Sequence, residues 1–272
     1  MLPNFLVIGA AKAGTTSLYH YLRAHPQIYM SERKELNFFL EKDGWEKGQE
    51  WYEKQFERAG DAVAVGEASP NYSKYPLFPG VPGRIAKVIP DARLIYLVRQ
   101  PIERFRSGYL DEVYRGRQRN PIETALATNP GYLAASRYTM QIEQYLEHFR
   151  REQLLVIVSE DLKRSRAATM ALVHTFLGVE DIPPPTLEEE FNRTTGKQVP
   201  RPLARTVRRL PGGRALARLV PRPVQRLVNT RLDTGLADIS PAFEERLRDL
   251  LRDDVRRLRA HLGDGFHGWD IA

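Results

Sequence analysis

Residues 7–22 read VIGAAKAGTTSLYHYL. A short apolar run, Asn4 to Gly9, reaches a glycine, crosses a loop of small residues and enters a stretch with Leu18 and Leu22 four apart. Strand, glycine loop and helix N-terminus in that order make an anion site, because unpaired backbone N–H groups converge where the helix dipole is positive. Gly9 and Gly14 keep the spacing of the G-x-x-x-x-G-K-[ST] phosphate loop. Yet Thr15 stands where that pattern has lysine, and the lysine sits inside the loop at Lys12. The amides from Ala13 to Thr16 and the hydroxyls of Thr15, Thr16 and Ser17 are expected to wrap a phosphate, with Lys12 supplying positive charge.

Outward from this loop, strands alternate with helices. Gln27–Met30 and Ala62–Gly66 read as short strands, Arg93–Val98 (RLIYLV) and Leu154–Val158 as continuous buried ones. Helices are predicted from Thr15 to Arg23, around Trp51 and Phe56, over Arg84–Ile89, from Pro101 to Arg115, over Tyr132–Arg150 and over Ala167–Leu177. Ser240-Pro241 opens a last helix, 240–263, in which Phe243, Leu247, Leu250, Leu251, Val255, Leu258 and Leu262 form one apolar stripe. Such alternation predicts an α/β fold: three layers of the P-loop type, a central parallel sheet flanked by helices, one domain over residues 1–272.

In such sheets ligands bind at the carboxyl ends of the strands, where Gly9, Glu67, Arg99 and Ser159 fall. An ATP site also needs Mg²⁺, usually held with the help of an Asp ending another strand. Here the clearest strand ends in Arg99 and no candidate strand ends in Asp. A basic strand end suits a second anionic group on the ligand better than a metal. The six histidines (20, 25, 148, 174, 261, 267) show no ligand spacing, and no metal site is expected.

The chain of 272 residues contains no cysteine, which excludes a disulfide framework, a thiolate metal site and a cysteine nucleophile. It fits a cytoplasmic setting. The N-terminus has no basic run ahead of its short apolar stretch, so it reads as a first strand rather than a signal peptide. The net charge of +7 is uneven: from Phe191 to Leu232 ten arginines and Lys197 stand against no Asp or Glu. That basic segment, 191–232, reads as an insertion or lid and suggests a local anionic partner. Its arginines from Arg201 to Arg231 would attract an anionic or lipid-linked acceptor, or an acidic membrane surface in peripheral contact; a solvated arginine-rich face is the bland alternative.

Several ordered motifs carry a resemblance: Lys12-Ala13-Gly14-Thr15-Thr16-Ser17-Leu18, His25-Pro26, Lys34-Glu35-Leu36-Asn37-Phe38-Phe39, Gly66-Glu67-Ala68-Ser69-Pro70-Asn71-Tyr72, and Leu97-Val98-Arg99 running on through Ser107-Gly108-Tyr109. Together they resemble the sulfotransferases that use 3′-phosphoadenosine 5′-phosphosulfate (PAPS), with the flavour of the carbohydrate branch that includes the heparan sulfate enzymes and many bacterial relatives. The resemblance implies that loop 12–17 (Lys12, Ala13, Gly14, Thr15, Thr16 and Ser17) binds the 5′-phosphosulfate and that Arg99 and Ser107 hold the 3′-phosphate. It implies Glu35 as catalytic base, Lys12 as catalytic cation and Lys197 as a closing-loop contact. Its products would be a sulfated hydroxyl or amine and 3′,5′-ADP, with no metal and no nucleic-acid partner. Asn37 and Ala68 depart from the histidine and lysine many glycan enzymes carry there, which leaves the acceptor (glycan, glycolipid or small metabolite) open. A P-loop kinase with an atypical loop and a non-enzymatic basic module for nucleic acid or membrane are the competing readings.

Overall fold

The computed structural model describes residues 1–42, 44–185, 198–200, 229–231, 237–263 and 265–272. Five strands, β1 (Phe5–Gly9), β2 (Ile28–Met30), β3 (Ala64–Ala68), β4 (Arg93–Val98) and β5 (Leu154–Val158), form one sheet in the order β2-β3-β1-β4-β5. Every pairing in it is parallel. All of β1 and β3, and all of β4 after Arg93, are buried. That is how strands read when helices cover both faces of a sheet. β1 lies in the middle, with Leu6 opposite Glu67 on one side and Leu94 on the other. The carboxyl ends of β1, β3, β4 and β5 therefore open on one edge.

Between the strands run α1 (Thr15–Arg23), α2 (Gln49–Lys54), α3 (Val81–Val88), α4 (Pro101–Tyr114), α5 (Ile122–Thr128), α6 (Gly131–Ala134) and α7 (Tyr138–Leu146), and after β5 come α8 (Ser159–Arg164) and α9 (Arg166–Leu177). The C-terminal helix spans Pro241–Leu262. Ser240 caps it by accepting from the Phe243 amide, and it buries Phe243, Leu247, Leu251, Val255 and Leu258. Leu250, expected in that stripe, is 39% exposed, while Asp254 is buried.

Asp254 accounts for a second correction. The single helix expected over Tyr132–Arg150 is two, α6 and α7, with a break at residues 135–137. The Asp254 carboxylate accepts from the amides of Thr139 and Met140 at 3.1 and 3.0 Å, so a cap from the far end of the chain starts α7 afresh. In the break, Ser136 accepts from Arg104 Nε at 2.6 Å and donates to the Pro101 carbonyl at 2.9 Å.

The third strand also shifts, from the expected 62–66 to 64–68, because β1 pairs with it as far as Ala68. Gly66 lets the two strands lie this close. A Cβ there would fall 2.5 Å from the Phe5 ring. Of the insertion or lid expected over 191–232, the described residues are Gln198–Pro200 and Asn229–Arg231, paired antiparallel, and the contact expected from Lys197 lies outside the described residues.

Candidate active site

The loop after β1 turns on two left-handed residues, Lys12 at φ 74° and Gly14 at φ 98°. Gly14 serves as the N-cap position of α1 without a capping side chain. The first amides of α1, from Thr15 to Ser17, thus face outward without a side-chain cap, where an anion can take them. Ala13 does not line the cavity above the strand ends: its amide donates to the Ala10 carbonyl at 3.1 Å and its side chain is buried.

Above the strand ends lies a cavity of about 640 Å³. Lys12, Gly14, Thr15, Thr16 and Ser17 form one wall, Arg99 and Ser107 another, and Glu35 a third. The structure therefore brings together every described residue expected at the site except Ala13. Arg99 follows β4 directly, and its backbone carbonyl accepts from Tyr138 Oη at 2.6 Å. Its guanidinium reaches the Lys12 carbonyl at 3.4 Å and Glu103 at 3.3 Å. Ser107 sits two turns along α4.

Glu35 is held by packing beneath it. In the stretch from Lys34 to Phe39, residues Leu36, Phe38 and Phe39 are buried while Lys34 and Glu35 line the cavity. Phe38 stacks on Tyr52 with ring centroids 4.2 Å apart, and Phe39 meets Tyr72 edge-on. The Glu35 amide donates to the Ala68 carbonyl at 3.0 Å and the Asn37 amide to Ser69 Oγ at 3.0 Å. Lys12, Glu35 and Asn37 all carry positive φ. Such strained backbone, costing on the order of 1 kcal/mol or more each, persists where surrounding structure fixes a functional geometry. Glu35 is half-exposed and paired with Lys34 at 2.8 Å.

Below this loop, Glu67 is wholly buried. Its carboxylate accepts from Ser69 at 2.6 Å, Tyr72 at 2.6 Å and Tyr52 at 3.0 Å. Burial pushes its carboxyl above the ordinary range, against the pull of those hydroxyls and the Leu36 amide. Glu67 ties β3 to both the Glu35 loop and the turn after β3, so its part is to position and not to face the ligand.

The sequence reading missed Asp111. Lys12 Nζ lies 3.2 Å from Asp111 Oδ1, and Arg115 Nε lies 2.6 Å from Asp111 Oδ2. Burial alone would raise the Asp111 carboxyl, but Lys12 and Arg115 outweigh it and hold it below the usual carboxylate value. Asp111 and Arg115 line the cavity, as do Lys74, Ser159, Lys163 and Arg166. The signal was present in the spacing. Ser107 and Asp111 in α4 and Arg115 at its C-cap recur every four residues, and Ser159, Leu162, Lys163 and Arg166 follow helical spacing after β5. Seven Lys and Arg side chains and only two carboxylates line the cavity. An arrangement with basic groups on the Lys12 loop and at Arg99, and a half-exposed carboxylate at Glu35, suits a ligand with two anionic groups and a second reactant carrying a proton.

The pattern of the sulfotransferase domain matches residues 2–196. The chain is 40% identical over 111 residues to the membrane-associated sulfotransferase kil1 of Dictyostelium discoideum, covering 40% of this chain and 22% of that protein. It is 28% identical over 211 residues to the mouse heparan sulfate glucosamine 3-O-sulfotransferase 5, covering 72% and 58%. The chain thus spans 22% and 58% of the length of these two relatives, less than two thirds of either. Among solved structures, a sulfotransferase from Alicyclobacillus acidocaldarius superposes with a TM-score of 0.72 at 25% identity, covering 99% of both chains.

Proposed function

The chain belongs to the sulfotransferase domain family, and from that premise we propose that it moves a sulfuryl group from PAPS to a hydroxyl or amine of a glycan, glycolipid or small metabolite. The observation that carries this reading is the single cavity joining the Lys12 loop, the Arg99–Ser107 pair and Glu35. PAPS has two anionic groups: a phosphosulfate suited to the amides of Thr15 to Ser17 and to Lys12, and a 3′-phosphate suited to Arg99 and Ser107. A guanidinium and a hydroxyl can grip a phosphate through charge-assisted hydrogen bonds.

In the transfer, the acceptor oxygen or nitrogen attacks sulfur as Glu35 takes its proton. The bond from sulfur to the phosphate oxygen breaks, and its electron pair stays on that oxygen, leaving 3′,5′-ADP. Lys12, once drawn from Asp111, and the loop amides stabilise the charge that gathers there. The glucosamine named for the mouse relative makes a glycan the leading acceptor class. Peripheral association with a membrane, through the arginines of 201–231, belongs to the same reading; among the described residues no helix is long and apolar enough to cross a membrane.

The test compares ligands by thermal shift. At one hundred times its dissociation constant, 3′,5′-ADP should stabilise by about 2.7 kcal/mol. That raises the melting temperature by about 5 °C or more for a chain of this size. ADP and ATP, lacking the 3′-phosphate, should shift it far less. Equal shifts from all three refute the donor assignment.

A further inference from the structure

Lys74 was not singled out by any motif, yet it lines the cavity with Glu35, Lys12 and Asp111. It follows the short 3₁₀ turn Pro70–Ser73, and the backbone around it is pinned. Tyr145 Oη donates to the Tyr72 carbonyl at 3.0 Å. Gln141 accepts from the Tyr75 amide and donates to the Tyr75 carbonyl, both at 2.8 Å. The side chain is therefore set on a rigid platform rather than a loose loop.

Its neighbours on this side of the cavity are paired: Lys12 and Arg115 share Asp111, and Lys34 has Glu35. Lys74 has no carboxylate within ion-pair distance among the described residues. It is half-buried, and desolvation followed by the charge of Arg104 lowers its pKa, with Glu112, Glu35 and Asp111 pulling the other way. Arg104 is itself buried and held by neutral groups, Ser136 Oγ and the Tyr132 carbonyl. Lys74 itself has no ion-pair partner among the described residues, and a half-buried cation in that state is met favourably by an anion entering the cavity.

The position identifies that anion. Lys74 lines one cavity with Lys12, Glu35 and Asp111, and the charges of Glu35 and Asp111 both reach it. On the reading above, Glu35 meets the attacking atom and Lys12 the departing oxygen, and the transferred sulfur lies between those two. We propose that Lys74 is a further catalytic residue, donating from its ammonium to the non-bridging sulfonate oxygens of the PAPS donor. The inference rests on the sulfotransferase reading. It adds no new bond change: sulfur still passes from the phosphate oxygen to the acceptor, the proton goes to Glu35, and Lys74 keeps its own proton throughout.

Donor binding tests it without knowledge of the acceptor. PAPS and 3′,5′-ADP carry about the same charge but differ by the sulfonate. Losing a cation from the general field would weaken both alike, whereas losing a sulfonate contact weakens only PAPS. Titration calorimetry on the full chain should show Lys74→Met binding 3′,5′-ADP within about twofold of wild type and PAPS on the order of tenfold more weakly, the size of one charge-assisted hydrogen bond. Lys74→Arg should recover part of the loss. Unchanged PAPS affinity, or an equal loss for both ligands, overturns the proposal. If wild type fails to prefer 3′,5′-ADP over ADP, it is the donor assignment that fails, and the two failures are thereby distinct.

Discussion

Asp111 stands in the way of the ligand proposed for Lys12, and neutralising it should tighten donor binding. Lys12 Nζ and Asp111 Oδ1 are 3.2 Å apart, and the two side chains are 16% and 18% exposed. At an effective permittivity of about 20, the gross attraction at that distance is about 5 kcal/mol. Most of it offsets the desolvation of both groups, leaving a net worth of about 1–2 kcal/mol. A phosphosulfate must displace this pair to engage Lys12 fully, and it also meets the carboxylate's own charge. Asp111→Asn keeps the side-chain shape and removes both obstacles. Arg115, released from its 2.6 Å contact with the same carboxylate, pushes in the same direction. The dissociation constant for 3′,5′-ADP should fall about 5- to 30-fold, since each 1.4 kcal/mol is a factor of ten. Calorimetry near 0.1 M salt reads this directly, and the gain should shrink as salt rises. The unliganded variant should melt lower than wild type, having lost the pair, and saturating ligand should close that gap. If instead Asp111 serves mainly to aim Lys12 at the ligand, Asn weakens binding. An unchanged or larger dissociation constant therefore refutes the reasoning.

Glu35→Gln should retain 3′,5′-ADP affinity within about twofold while turnover with a productive acceptor falls about 10²- to 10⁴-fold, the usual range for loss of a general base. A variant with near-normal kcat removes Glu35 from that role. Glu67→Gln tests the buried carboxyl under the Glu35 loop. Its folded pKa lies above the ordinary 4.5, so its contribution to stability is greatest below that pH and is lost as pH rises through the folded value. Denaturation of both proteins across a pH series should show wild type losing ground to Glu67→Gln as pH rises above 4.5, with a slope no steeper than about 1.4 kcal/mol per pH unit. A gap that moves the other way would mean the three hydroxyls outweigh burial.

What could be seen in the sequence was what is local. The strand over Arg93–Val98 is bounded as expected because six consecutive side chains carry its signal, and α1 begins at Thr15 because Gly14 can adopt the left-handed turn ahead of it. Arg99 was legible because it ends a strand, and parallel sheets bring strand ends to one edge. What escaped was every feature whose cause lies far along the chain. Nothing near Tyr138 announces a new helix, since the cap is Asp254, 115 residues from Thr139. Nothing near Asp111 announces an ion pair with Lys12, 99 residues away. Lys74 in a polar turn looks like any solvated lysine until the fold sets it in the cavity wall.

The same distinction explains why the functional loops are strained and yet stay in place. Lys12, Glu35 and Asn37 adopt backbone angles that side chains disfavour. Local sequence cannot enforce them, and the contacts that do are distant: Leu97 on the Ala10 amide, Ala68 on the Glu35 amide and Ser69 on the Asn37 amide. All three come from or just beyond the ends of β3 and β4, so the sheet that gathers the charged groups also fixes their backbones. A substitution that loosens this edge, even one that touches no ligand, should therefore misplace Lys12 and Glu35 together rather than one at a time.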